Sequence, residues 1–571
     1  MDNKLVNIAH YLPELANKTP HKQAIIFPKG HDFLKRVSYT HLTFKQLNEG
    51  CDRYAQRLAN LQIKQGMRVL LMVKPSLEFF ILTFALFKIG AVPILIDPGM
   101  GKINLFRSIK SVAPEAIITI PLAQIIRRFF PQYFKSIKIS ITVPVNLIDK
   151  KWLITQKPFP IARTKGDDIA SILFTTGSTG PAKGVTYTHS IFDHQVRFIK
   201  SYYNITENDI DLPCFPLFAL FSVVMGMTVV IPDMDPTRPA LVDPRKIIEA
   251  VDNFGITNTF GSPALWNTVA NYCLAHDLKL STIKKVLIAG APVSGELLGR
   301  LEKIFSQDCR IETPYGATEC LPVSSISNKN VLKETWSRSR LGKGTCVGKA
   351  IPEMTVRIIK IDDRPILDWD EGLVLPQGEK GEIVVKGPLV TPSYFMRNDQ
   401  TGLAKIKERK ELWHRMGDIG YLDEKGRIWF CGRKSHRVIT DDGTLFTIPC
   451  EAIFNQHPNV YRSALVGIRK DRGQEAGGGC QGKKNRGNEK DNKKNKIPMI
   501  IIEPFPRKMP KNNADKERFL EELFKLGEGN ELTKGIKHIL FHPSFPVDIR
   551  HNAKIFREKL ALWAERHICT V

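Results

Sequence analysis

At 571 residues, with 43% hydrophobic and 9% aromatic residues, the chain has apolar material for three or four domain-sized units, which excludes a wholly disordered polypeptide. A formal net charge of +25 suggests nucleic-acid binding, yet the lysines are spread along the whole length without an RNP, zinc-finger or helix-turn-helix pattern. The ten cysteines include no C-x-x-C pair and no Cys/His cluster at zinc spacing, so they read as reduced thiols of a cytoplasmic protein.

The opening M-D-N-K-L-V-N-I-A-H lacks the apolar core of a signal peptide. Residues 7–12 start one helical pattern, and Thr43 is placed to cap a second. Short strands are expected at 23–27 and 37–39. Residues 68–98 read as strand, helix and strand, the building block of a parallel sheet, with the helix at 76–89 stopped by Gly90. Its apolar run is too short to span a bilayer. The run 215–232 contains Pro216 and Ser222 and reads as a buried helix–strand pair. Further β–α alternation is expected at 116–120 and 138–147.

Residues 171–189 read S-I-L-F-T-T-G-S-T-G-P-A-K-G-V-T-Y-T-H. A buried strand runs into Thr175, Thr176, Gly177, Ser178, Thr179 and Gly180, then Lys183. Glycines let consecutive N–H groups turn inward, hydroxyls add donors and the lysine adds charge, which is the chemistry that holds a polyphosphate. The spacing does not fit a Walker A loop.

The alternation then resumes. Asp243 caps a helix at 246–254, and strands are expected at 257–260, 285–288 and 310–312. They end in Gly261-Ser262-Pro263, Gly290-Ala291-Pro292 and Thr313-Pro314-Tyr315-Gly316. Ligands of doubly wound sheets sit beyond the carboxyl ends of strands, so these three turns suggest one composite site. From about 347 the texture becomes β-rich, with strands at 356–361 and 381–386 and a hairpin at 418–430. The polar run 432–437 marks a hinge. Residues 469–496 hold ten Lys/Arg against four Asp/Glu and almost no apolar residue, so a disordered basic loop is expected there.

Five motifs carry a resemblance. T-T-G-S-T-G-x-x-K-G, then Tyr315-Gly316-Ala317-Thr318-Glu319, Met416-Gly417-Asp418, Gly432-Arg433 and P-V-D-I-R-H-N-A-K at 546–554 occur in the order found in the adenylate-forming superfamily of acyl-CoA synthetases and luciferases. Segments 211–220, 231–240, 260–265, 315–323 and 546–554 also resemble the olefin β-lactone synthetases of bacterial hydrocarbon biosynthesis, over nearly the whole chain.

The resemblance implies an α/β architecture. A large N-terminal AMP-binding domain, 1–432, would hold doubly wound mixed sheets and a β-rich subdomain at about 347–432. A small mobile α+β domain, 433–571, would carry the catalytic lysine. It implies ATP and Mg2+ as cofactors, with Glu319 and Thr179 as metal ligands and Glu319 and Lys554 as catalytic residues. The loop 175–180 and Lys183 would take phosphates. Gly290, Ala291, Pro292, Tyr315, Gly316, Thr318, Asp418 and Arg433 would bind the nucleotide. Strand-end position suggests Phe218, Ser262 and Trp266 for the acyl pocket.

A long-chain β-hydroxy acid would become an acyl-adenylate, which its own hydroxyl would close to a β-lactone. Thioester formation by an acyl-CoA ligase, or release of the adenylate by an acyl-AMP ligase, is the competing reading. Against CoA as acceptor stand Ala219 where ligases commonly carry His, Ser435 where their hinge is Asp or Lys, and a fragmentary segment at 438–451. Partners implied are a thiolase-like condensing enzyme, a reductase and a lactone decarboxylase, with no nucleic acid and at most peripheral contact with the inner face of the membrane.

Overall fold

Apolar β-branched runs flanked by turn residues recur through the first two thirds of the chain, and each pairs in register with a distant partner. In the computed structural model, which describes residues 6–143, 157–175, 182–469, 496–548 and 554–568, they build two large sheets. The first has six strands in the order Ile139–Thr142, Ala116–Thr119, Arg68–Met72, Val92–Leu95, Ile169–Thr175 and Lys183–Thr188. All pairs are parallel except the last.

The second begins with the antiparallel pair Val37–Thr43 and Gln23–His31. It continues in parallel through Thr228–Val230, Ile210–Pro213, Asn258–Gly261, Lys285–Ile288 and Arg310–Ala317. From there the same ladder turns antiparallel through Cys320–Ser327, Thr345–Ala350, Ile428–Arg433, Glu411–Leu422, Gly381–Lys386 and Thr355–Ile359. The β-rich region therefore continues the α/β sheet edge to edge. The expected strand 310–312 runs on to Ala317, because Thr313–Tyr315 pair with Ser324–Ile326.

Helix Leu77–Ile89 is buried at every position. Ser76 caps its start and Gly90, at φ 75°, ends it in the left-handed conformation that glycine adopts without strain. Its one cation, Lys88, is paired with Asp52 and also donates to Asn48 Oδ1 at 2.7 Å. A buried charge so compensated is tolerated in a core.

Beyond Arg433 the chain forms a hairpin, Val438–Thr440 with Gly443–Leu445, and a three-stranded sheet of Val460–Arg469, Lys496–Pro504 and His538–Phe541. Helices Thr447–Phe454, Asn513–Glu528 and Arg557–Ile568 accompany them. The two ends of the expected basic loop are strand, since Arg469 pairs with Lys496. Its interior, 470–495, lies outside the described residues. No described helix is long and apolar enough to cross a membrane.

Candidate active site

Parallel register aligns the strand ends. Phe260 lies beside Pro213, Gly261 beside Ile288 and Leu287 beside Glu312, so the turns that follow open onto one cavity of about 960 Å3. Gly290, Ala291 and Pro292 line it, as do Tyr315, Gly316, Thr318, Glu319, Asp418, Arg433 and Lys183. The structure thus brings together residues up to 250 positions apart. Thr176, Gly177, Ser178, Thr179 and Gly180 lie outside the described residues. Thr175 ends its strand opposite Lys183, the first residue of the strand that pairs with it.

Two polar clusters organise the wall. In the first, the Tyr315 hydroxyl donates to Asp418 Oδ2 at 2.7 Å, and Arg433 Nη1 lies 2.9 Å from Asp418 Oδ1. Burial pushes the Asp418 carboxyl up, and the Arg433 charge opposes that shift. Burial likewise drives the Tyr315 phenol well above its ordinary value.

In the second, Glu319 Oε1 accepts a hydrogen bond from Tyr394 at 2.7 Å, and Lys183 Nζ sits 4.8 Å above the Tyr394 ring. Burial lowers the Lys183 pKa, and the Glu319 carboxylate raises it in part. Tyr394 is held by its own segment, where Thr186 N donates to Ser393 O and Phe395 N to Gly184 O. Sequence reading missed this tyrosine, because nothing local in S-Y-F-M-R ties it to Glu319. Behind it, burial brings Lys405 down to about 8 and holds His414 well below its usual value.

Lys554 and Arg557 line the same cavity from the C-terminal side. Asp548 N donates to the Lys554 carbonyl at 2.9 Å, and Arg557 Nη2 holds both Glu451 oxygens at 2.7 and 2.8 Å. A backbone hydrogen bond and an ion pair thus hold the described residues next to the lysine. Ser435 and His436 of the expected hinge also face the cavity.

The acyl-pocket expectations divide. Phe218 stacks on Phe260 with centroids 4.0 Å apart, and both line the cavity. Ser262 lines it too while capping helix Pro263–Ala275. Trp266 does not. It is fully buried in the core behind the site, edge-on to Phe305 at 5.4 Å. It sits one helical turn past Ser262, on the face turned toward the packed helices. Deeper in the wall lies a polar group that sequence reading did not assign. Asp211 is buried, accepts from Ser222 Oγ and from Asn258 Nδ2 at 2.6 Å, and is pushed up to about 6 by burial. A charge inside the apolar strand I-D-L-P was the available signal.

A metal site can be judged from the donors. Among the described residues no three His, Cys, Asp or Glu side chains converge as a cage. Glu319 offers one hard carboxylate on the cavity wall, beside Lys183. That fits Mg2+, which is ordinarily held by one or two carboxylates with phosphate oxygens and water supplying the rest.

Comparison with known proteins shows the family and the fold. The model of the AMP-binding enzyme family matches residues 12–395. The chain is 42% identical to an olefin beta-lactone synthetase of Xanthomonas campestris pv. campestris, over 98% of both chains. It is 40% identical to one of Stenotrophomonas maltophilia, over 99% of both. Among solved structures, O-succinylbenzoate coenzyme A synthetase of Bacillus subtilis, in complex with AMP, superposes with a TM-score of 0.71 at 20% identity, covering 96% of this chain and 97% of that one. A fatty acyl CoA synthetase of Mycobacterium tuberculosis gives 0.69 at 19%, covering 99% and 100%. At these identities the structural likeness speaks for the fold alone.

Proposed function

Because the chain belongs to the AMP-binding enzyme family and matches two olefin beta-lactone synthetases over nearly its whole length, we propose that it converts a long-chain β-hydroxy acid and ATP into a β-lactone, AMP and pyrophosphate. It is an ATP-dependent adenylate-forming ligase. A carboxylate oxygen of the acid attacks the α-phosphorus, pyrophosphate departs, and an acyl-adenylate remains. The β-hydroxyl oxygen then attacks the acyl carbon and loses its proton. The acyl carbon–oxygen bond to phosphate breaks, and AMP leaves with the electron pair as the four-membered ring closes. Holding hydroxyl and carbonyl on one chain makes the attack unimolecular.

The observation that carries this reading is that Lys554 faces the cavity lined by Glu319, Asp418 and Gly290–Pro292. In this reading the Lys554 ammonium bridges carboxylate and α-phosphate oxygens as negative charge gathers between them. Lys183 and the loop 175–180 hold the leaving pyrophosphate. Tyr315, Gly316 and Gly290–Pro292 flank the adenine, Thr318 reaches a phosphate or the ribose, and Asp418 with Arg433 receives the ribose hydroxyls. Glu319, with Thr179, would hold Mg2+, which supplies charge neutralisation at the phosphates. Phe218, Phe260, Met225 and Met227 give the acyl chain an apolar wall. In this reading the protein works in the cytoplasm, supplied by a condensing enzyme and a reductase and drained by a lactone decarboxylase.

The test is to incubate the purified chain with ATP, Mg2+ and a long-chain β-hydroxy acid in the absence of CoA. Mass spectrometry is expected to find AMP and a product one water lighter than the acid. A thioester formed only when CoA is added would make the chain an acyl-CoA ligase, and a released acyl-adenylate an acyl-AMP ligase. Lys554→Ala is expected to slow ATP–pyrophosphate exchange by roughly a hundredfold or more.

A further inference from the structure

Helix Pro121–Phe129 is built inside out. Its apolar residues recur at Leu122, Ile125, Ile126 and Phe129, the spacing of a stripe that ordinarily faces a core. None of its residues is buried, and Leu122, Ile125 and Phe129 are 62%, 55% and 75% exposed. The side turned to the protein is instead polar. Gln124 Nε2 donates to Ser140 Oγ at 2.8 Å and to Thr142 Oγ1 at 3.2 Å, on the edge strand of the six-stranded sheet. Phe130, just past the helix, packs its ring 4.8 Å from Phe106 of helix Lys102–Val112. On that helix Ile103 is 69% exposed.

The surroundings are basic. Residues 101–143 contain seven Lys/Arg and one acid. The acid, Glu115, is already engaged by Arg68 at 3.2 Å. Six of the seven cations are exposed and Arg127 is half-buried.

We propose that helix Pro121–Phe129 is an interfacial anchor, laying its Leu122–Phe129 stripe into the headgroup boundary of an anionic bilayer while the flanking lysines and arginines meet the lipid phosphates. A narrow apolar stripe with cations beside it is the pattern of helices that lie in the membrane plane. A second copy of the chain would bring like charges together across the contact. A bilayer supplies diffuse negative charge and an apolar layer without requiring a matching shape. The proposal rests on the long-chain-acid reading only for its purpose, which is access to a substrate dissolved in lipid.

Co-sedimentation of the full chain with phosphatidylglycerol-containing and with pure phosphatidylcholine vesicles tests it, since binding needs no catalysis. Its failure leaves the AMP and lactone assay untouched, so the two readings fail separately. Binding to the anionic vesicles alone is expected, weakening as salt is raised. Ile125→Ser with Phe129→Ser, and separately Arg127→Glu with Arg128→Glu, should each lower the bound fraction by about tenfold with an unchanged melting temperature and unchanged turnover of a water-soluble short-chain substrate. Phe129→Trp, which keeps the stripe apolar, should show blue-shifted emission relative to wild type only when anionic vesicles are present. No binding by the wild type, binding by the double variants equal to that of the wild type, or an unshifted emission from the Phe129→Trp variant would each overturn the anchor. So would double variants whose melting temperature falls, with no blue shift in Phe129→Trp, because the stripe would then be covered by the protein itself.

Discussion

Asp211 is a carboxyl group buried in the cavity wall. It lies in an apolar cavity wall with donors from Ser222 and Asn258, and its pKa is near 6 instead of the ordinary 3.8. Burial is the cause, so the folded state favours the protonated form. The sign follows directly: relative stability is greatest below about pH 4 and is lost as pH rises through about 6. At 1.36 kcal/mol per unit, ionisation above pH 6 costs about 3 kcal/mol, with no discount for solvent because the group is buried. Asp211→Asn cannot ionise. Urea titrations of both proteins between pH 4 and 7 should therefore show the wild type losing about 3 kcal/mol relative to the variant. Parallel profiles would mean the carboxyl does not titrate there. Asn258 Oδ1 is buried without a hydrogen-bond partner, so the cluster also offers an unused acceptor to whatever fills the cavity.

At the scale of elements, the antiparallel half of the large sheet has a narrow junction, where Cys320–Ser327 meets Thr345–Ala350 through Ser324–Ala350 and Ser325–Lys349. Gly348 sits there at φ 85° with Ser325 O only 1.9 Å from where a Cβ would be. Gly348→Ala combines backbone strain with a clash against a main-chain oxygen and should cost about 2–4 kcal/mol, read as a lowered thermal midpoint. Thr43→Ala, which removes one half of a capping box with Gln46, should cost only about 1 kcal/mol. The contrast explains what could be read from sequence. Thr43, Asp243 and Gly90 are local signals, and each terminates a helix where the pattern placed it, whereas Ser76, read as the first residue of its helix, is instead its cap. The composite site was legible for a similar reason, since Gly/Ser/Pro turns after short strands announce their own position. Trp266 was not, because proximity to a strand end says nothing about which side of a helix faces the cavity. Tyr394 was not, because its bond to Glu319 spans 75 positions.

At the scale of the whole molecule, Lys554 lies more than a hundred residues beyond Arg433 and still lines a pocket built by residues before it. The crossing itself is ionic: Lys434 Nζ lies 3.0 Å from Glu382, and Arg437 Nη2 lies 2.8 Å from Asp363. The broader contact is packed. Gly342, at φ 79° in segment Ser339–Lys343, has Leu532 Cδ1 and Pro449 O where a Cβ would stand, at 2.7 and 3.0 Å. Both lie beyond Arg433, so a side chain at 342, strained by the positive φ, would disturb this contact at the Pro449 carbonyl. If Lys554 serves only adenylation, as we propose, the two half-reactions should separate. Gly342→Ala should slow ATP–pyrophosphate exchange by about tenfold or more, as a small misplacement of a catalytic group does. Ring closure from a supplied β-hydroxyacyl-adenylate should keep its rate, and Lys554→Ala should give the same division more severely. Equal losses in both half-reactions would place Lys554 in the second step as well, and the C-terminal unit would then act as a fixed wall.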